Sequence, residues 1–243
     1  MARGTDDIAS SLRRRDTMRA MTLQIGMLLF PQVTQLDFTG PYEVLWRLPD
    51  AQVHIVAKTL DPVPAEGGLR LCPSTTFASA PPIDLLFVPG GWGQFIATDD
   101  ADTLEWVRTT GERARWIASA CTGSLLLGAA GLLQGYRATT HWGFIDLLPL
   151  VGATPVEERV VVDRNRFTGA GVTAGIDIAL TIASEIAGRQ TAEMIQLQIE
   201  YDPAPPFHAG HPRVASPDLV AAARERIAKR YAARKDQLTK VAR

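Results

Sequence analysis

One of the chain's two cysteines, Cys121, lies in the run Ala120-Cys-Thr-Gly-Ser124, where an apolar segment gives way to a second apolar run. Small residues on both sides let a chain turn sharply, so that the thiol can face a pocket instead of the core. A helix opening at Thr122 would present free N–H groups and partial positive charge, which lower a thiol pKa and favour the thiolate. The competing reading is a buried structural thiol, because free cysteine is among the most buried residue types. The local run alone does not separate the two.

Other residues could assist. Asp37, in Gln35-Leu-Asp-Phe-Thr-Gly-Pro41, falls where a first strand meets a first helix. It is either a helix N-cap or a carboxyl kept protonated by burial beside a thiol. Gly90-Gly91 is either a plain turn or a source of N–H groups for developing negative charge. His141 reads as a core histidine before a catalytic base; His54, His208 and His211 have no metal-ligand spacing, and no metal site is expected. Cys72 reads as a small strand hydrophobe, and Trp142 and Phe144 as core.

The elements that must position these residues alternate. Apolar runs at 23–30, 53–57, 84–88 and 116–121 have the length and continuity of buried parallel strands. Residues 36–48, 102–114, 122–133, 141–151, 173–187 and 191–201 are expected to be helical, and 156–162 and 166–168 to form a hairpin around Asp163-Arg-Asn165. Such alternation predicts an α/β fold: a doubly wound, mostly parallel sheet with helices on both faces. Ligands bind beyond the carboxyl ends of such strands. Asp37, Gly90-Gly91, Cys121 and residues 169–173 all fall at those ends. That convergence favours a site over four unrelated coincidences.

The 243 residues suffice for one large domain over residues 21–207, followed by a Pro-rich arm and charged helix over 208–243. Residues 1–20, with Arg13-Arg14-Arg15 and no apolar core, read as a disordered extension outside the chemistry. A net charge of −1 gives no reason to expect nucleic acid or an anionic membrane as partner. No apolar run approaches the roughly 18–20 residues needed to span a bilayer. Two cysteines without a disulfide framework point to a reducing, cytoplasmic compartment.

Six segments together resemble the ThiJ/PfpI superfamily between about residues 22 and 206. They are Phe30-Pro31 with Asp37-Phe-Thr-Gly-Pro41, Pro89-Gly-Gly91, Cys121-Thr-Gly-Ser124, Ala138-Thr-Thr-His-Trp142, Thr173-Ala-Gly-Ile-Asp177 and Glu200-Tyr-Asp-Pro-Ala-Pro-Pro-Phe207. The resemblance implies a flavodoxin-like fold with a nucleophile-elbow cysteine. Many members carry glutamate at the position of Asp37, and several carry histidine at that of Thr122; Asp with Cys-Thr is similar to the isocyanide hydratases. That likeness implies addition of water to R–N≡C through a thioimidate on Cys121, with Asp37 as acid and base and Thr122 positioning substrate or thiol. Gly91, Trp92, Gly169, Ala170 and Val172 would line the substrate site, without cofactor or metal, in a homodimer. Glyoxalase or deglycase chemistry, or a redox or ligand sensor without turnover, are the alternatives.

Overall fold

The computed structural model describes residues 22–241 of the chain; the extension expected over 1–20 lies outside them. A seven-stranded sheet forms the centre. In chain order its strands are β1 (Leu23–Leu28), β2 (Ala51–Ala57), β3 (Thr75–Thr76), β4 (Leu85–Val88), β5 (Trp116–Ser119), β6 (Val160–Asp163) and β7 (Arg166–Gly169). Their spatial order is β6-β7-β5-β4-β1-β2-β3, parallel throughout except for the β6–β7 hairpin at one edge. Every residue of β4 and β5 is buried. Strands covered on both faces need such uninterrupted apolar runs, which is why Leu-Leu-Phe-Val and Trp-Ile-Ala-Ser were legible as strands.

The α-helices are α1 (Gln35–Leu45), α2 (Gly93–Asp99), α3 (Ala101–Arg113), α4 (Gly123–Ala129), α5 (Ala174–Ala187), α6 (Arg189–Gln198) and α7 (Pro217–Val241). Helix α5 buries Ile178, Ala179, Ile182 and Ala183, a single stripe at helical spacing that packs on α1. The chain leaves β1 for β2 on one side and returns to place β4 on the other side of β1. Right-handed crossovers in opposite directions put their helices on opposite faces of the sheet. The reversal at β1 and β4 opens a crevice at their carboxyl ends, where doubly wound folds bind ligands.

Several elements differ from the sequence-based expectation. The segment 93–99 is helical, although its Gly-Gln-Phe-Ile-Ala-Thr run carries no charge pattern to mark a surface helix. Trp142–Val151 is helical as expected, but in the tighter 3-10 form and with Pro149 inside it. Helix α4 stops at Ala129, followed by Gly131 at φ 79°, so the apolar run extends beyond it as turn. The hairpin strand begins at Val160, with Arg164 in the left-handed region of its two-residue turn.

The charged terminal helix is α7. Ser216 accepts the Leu219 N–H and Pro217 occupies the first helical position, a helix start set by the sequence Ser-Pro-Asp. One face packs against the 3-10 helix, with Tyr231 Oη donating to Asp146 at 2.6 Å. Arg234, Gln237 and Leu238 continue that face inward and are buried. No helix among the described residues is long and apolar enough to cross a membrane.

Candidate active site

Cys121 lies two residues beyond the end of β5 and has φ 52°, a left-handed backbone rare for a residue with a Cβ. Such a conformation costs on the order of 1–3 kcal/mol and persists only where the surroundings fix it. Three hydrogen bonds do so here. The Cys121 N–H donates to the Gly169 carbonyl at 3.1 Å. The Cys121 carbonyl accepts from Thr140 Oγ1 at 2.8 Å and from Ser124 Oγ at 3.2 Å. The thiol is therefore held on a strained strand-to-helix elbow.

Asp37 is the third residue of α1, whose N-cap is Thr34, so capping does not account for it. It is fully buried, and its Oδ2 accepts the Gly90 N–H at 3.1 Å. Oδ1 has no partner. Burial is the main cause that lifts its pKa from an ordinary 3.8 to about 7; the Cys121 thiol and the Gly90 N–H hold it down, and the negative charge of Glu66 adds to the rise.

The same environment corrects the expectation of a ready thiolate. Burial pushes the Cys121 thiol well up, and the neighbouring Asp37 charge pushes it further. The Thr122 N–H acts the other way, as does the guanidinium of Arg234. The helix-start effect is thus present but outweighed. Thiol and carboxyl share a buried setting in which ionisation of Asp37 makes the thiol harder to ionise, so their titrations are linked.

Thr122, buried, ties the elbow to the glycine turn. Its Oγ1 accepts the Gly91 N–H at 3.2 Å and faces the Gly91 carbonyl at 3.4 Å. Gly91 has φ 127°, and a Cβ there would lie 2.3 Å from the Thr34 nitrogen, so only glycine fits. The Gly90 and Gly91 amides, offered by the sequence for developing negative charge, are engaged within the protein: Gly90 holds Asp37 and Gly91 holds Thr122, and the adjoining Trp92 N–H donates to Glu66 Oε1. The amide that acts on the sulfur is that of Thr122.

Gly169 supports the Cys121 amide, as described. Ala170 and Val172 instead line a neighbouring cavity of about 540 Å³, together with Thr140, His141 and Trp142. Cys121 and Asp37 are not in its wall; Thr140, bonded to the Cys121 carbonyl, is the link between the two regions. His141 is half-buried at that cavity instead of in the core, and burial lowers its pKa, keeping the ring neutral. Phe144 is core, whereas Trp142 is half-buried. Cys72 is exposed, not packed as a small hydrophobe.

One residue near the thiol escaped the sequence reading. Arg234 of α7 is 2 % exposed and lies over the Phe144 ring at 5.1 Å and the Trp92 ring at 6.0 Å. Its signal was the spacing Ile227, Tyr231, Arg234, Leu238, an inward stripe in which arginine occupies an apolar position.

The model of the DJ-1/PfpI family matches residues 24–185. An isonitrile hydratase from Pseudomonas putida is 58% identical over 208 residues, covering 86% of this chain and 91% of that protein. A transcriptional regulator from Pseudomonas aeruginosa, CdhR, is 29% identical over 187 residues, 73% of this chain and 55% of the regulator. The crystal structure of a ThiJ/PfpI family protein from Pseudomonas syringae superposes with a TM-score of 0.86 at 42% identity, covering 100% of this chain and 96% of that one. The elbow cysteine, the buried carboxyl beside it and the flavodoxin-like sheet agree with these likenesses: the chain belongs to the DJ-1/PfpI family.

Proposed function

We propose that this protein is an isocyanide hydratase, converting R–N≡C and water to an N-substituted formamide. The observation that carries the reading is the pairing of a buried Asp37 with the elbow Cys121, in a chain 58% identical to an isonitrile hydratase. The terminal carbon of an isocyanide accepts a nucleophile and then needs a proton at the same carbon. A carboxyl titrating near 7 beside a thiol can take a proton and return it within one active site.

The Cys121 sulfur attacks that carbon as the thiol proton passes to Asp37. Asp37 then protonates the carbon, giving the thioimidate Enz–S–CH=N–R and restoring its carboxylate. Water attacks the thioimidate carbon while Asp37 takes one of its protons and delivers it to nitrogen. The resulting Enz–S–CH(OH)–NH–R collapses: the C–S bond breaks, the hydroxyl proton passes to sulfur, and R–NH–CHO leaves. Thr122 orients the thiol through its N–H and keeps the Gly91 turn in register. The family likeness also supports a homodimer, and the free thiol suits a reducing, cytoplasmic compartment. Ala170 and Val172 are the proposed substrate-side wall, reached past Thr140.

The test is direct. An alkyl isocyanide and methylglyoxal are assayed side by side, with formamide and lactate as products. Formamide alone, absent in Cys121→Ala, supports the reading. Lactate from methylglyoxal with no formamide would replace it by glyoxalase chemistry.

A further inference from the structure

The buried guanidinium of Arg234 lies over two aromatic rings but is short of polar partners. Among the described residues it makes no ion pair, and its Nε and Nη2 have no hydrogen-bond partner. A buried charge with no ion-pair partner in contact is costly, and buried charges are as a rule paired. Two aromatic rings locate it. Trp92 follows the Gly90-Gly91 turn that holds Asp37 and Thr122, and Phe144 follows the Thr140 segment that holds the Cys121 carbonyl. Arg234 thus bridges the two segments that flank the thiol, and α7 is anchored one turn later where Gln237 Nε2 donates to the Phe95 carbonyl at 2.7 Å.

We infer that Arg234 is a positioning residue of the active site, the counter-cation that stabilises the Cys121 sulfur while its proton resides on Asp37. The C-terminal helix is then a working wall of the site and not only a charged exterior. The inference deepens the proposed function and rests on Cys121 being its nucleophile. The charged and titratable groups around the sulfur are Asp37 from α1 and Arg234 from α7; Glu66 acts on both of these and Arg230 on Arg234, while Arg234 in turn acts on His141. The direction of the Cys121 shift agrees: Arg234 works against the rise that burial and Asp37 impose.

The test reads the thiol and not the turnover, so it stands whether or not the substrate is an isocyanide. In the full chain, with the exposed Cys72 changed to serine, the rate of Cys121 alkylation by iodoacetamide is followed against pH for the parent, Arg234→Met, Arg234→Gln and Arg234→Lys. Far-ultraviolet circular dichroism monitors the fold of each. We expect Met and Gln to slow alkylation about tenfold at pH 7 and move the profile upward by about one unit, with Lys restoring most of the loss. Parent-like profiles in folded Met or Gln variants overturn the inference. If both fail to fold, Lys decides: a profile close to the parent's supports a requirement for charge, and a profile displaced upward contradicts it.

Discussion

Gly90 donates its N–H to Asp37 Oδ2 at 3.1 Å, and a Cβ added to Gly90 would lie 2.7 Å from that same oxygen. The added carbon would also stand 2.6 Å from the Thr122 nitrogen and 2.8 Å from Thr122 Oγ1. The turn must therefore yield, and the carboxyl and the threonine move with it. Gly90→Ala is expected to lower kcat/KM at least a hundredfold, because a displacement near 1 Å in a positioned site costs about that much. The same variant should lose roughly 1–3 kcal/mol of stability by overpacking, read from urea unfolding.

The pH dependence follows from Asp37. Transfer of the thiol proton requires the carboxylate, so the Cys121–Asp37 pair must carry one proton, not two. With Asp37 at about 7, kcat/KM is expected to rise with pH through an apparent pKa near 7. Asp37→Asn should remove that limb and reduce turnover by several orders of magnitude. A rise near 4 instead would mean that the carboxyl is not buried in solution.

The same shift has a consequence for stability. The folded state holds the Asp37 proton more tightly than the unfolded chain, so its contribution is most favourable below 3.8 and is lost as pH rises towards 7. Above 7 the ionised carboxyl costs up to about 4 kcal/mol. Asp37→Asn, neutral throughout, should be more stable than the parent at pH 8, and most of that gap should close by pH 5. Urea unfolding at the two pH values measures it.

Thr122→Val keeps the volume but leaves the Gly91 N–H without its 3.2 Å acceptor. Loss of a buried hydrogen bond of this kind costs about 1–3 kcal/mol. Thr122→Ser keeps the acceptor. We expect Val to lower kcat about tenfold and Ser to retain most of it, a contrast that steady-state kinetics on both variants resolves.

Much of this fold was legible because its buried strands are continuous apolar runs and its hairpin and turns carry Gly and Asn. Cys121 and Asp37 could be placed at strand ends on the same ground. The capping role open to Asp37 fell away only when Thr34 proved to be the N-cap, a distinction of three residues finer than periodicity resolves. The roles of the Gly91 and Trp92 amides depended on Thr122 and Glu66, partners 31 and 26 residues away. Arg234 was hidden for a related reason. Its helix is rich in exposed charge, and only tertiary packing separates an arginine at solvent from one turned onto Trp92 and Phe144.

The central claim is a covalent bond between Cys121 and the isocyanide carbon. Enzyme mixed with an alkyl isocyanide, quenched in acid within the first turnover and weighed intact, should gain the mass of one substrate molecule. Peptide mapping should assign that mass to Cys121, and Cys121→Ala should gain nothing and make no formamide. Formamide production by Cys121→Ala at the parent's rate, or an adduct confined to the exposed Cys72, would contradict the account.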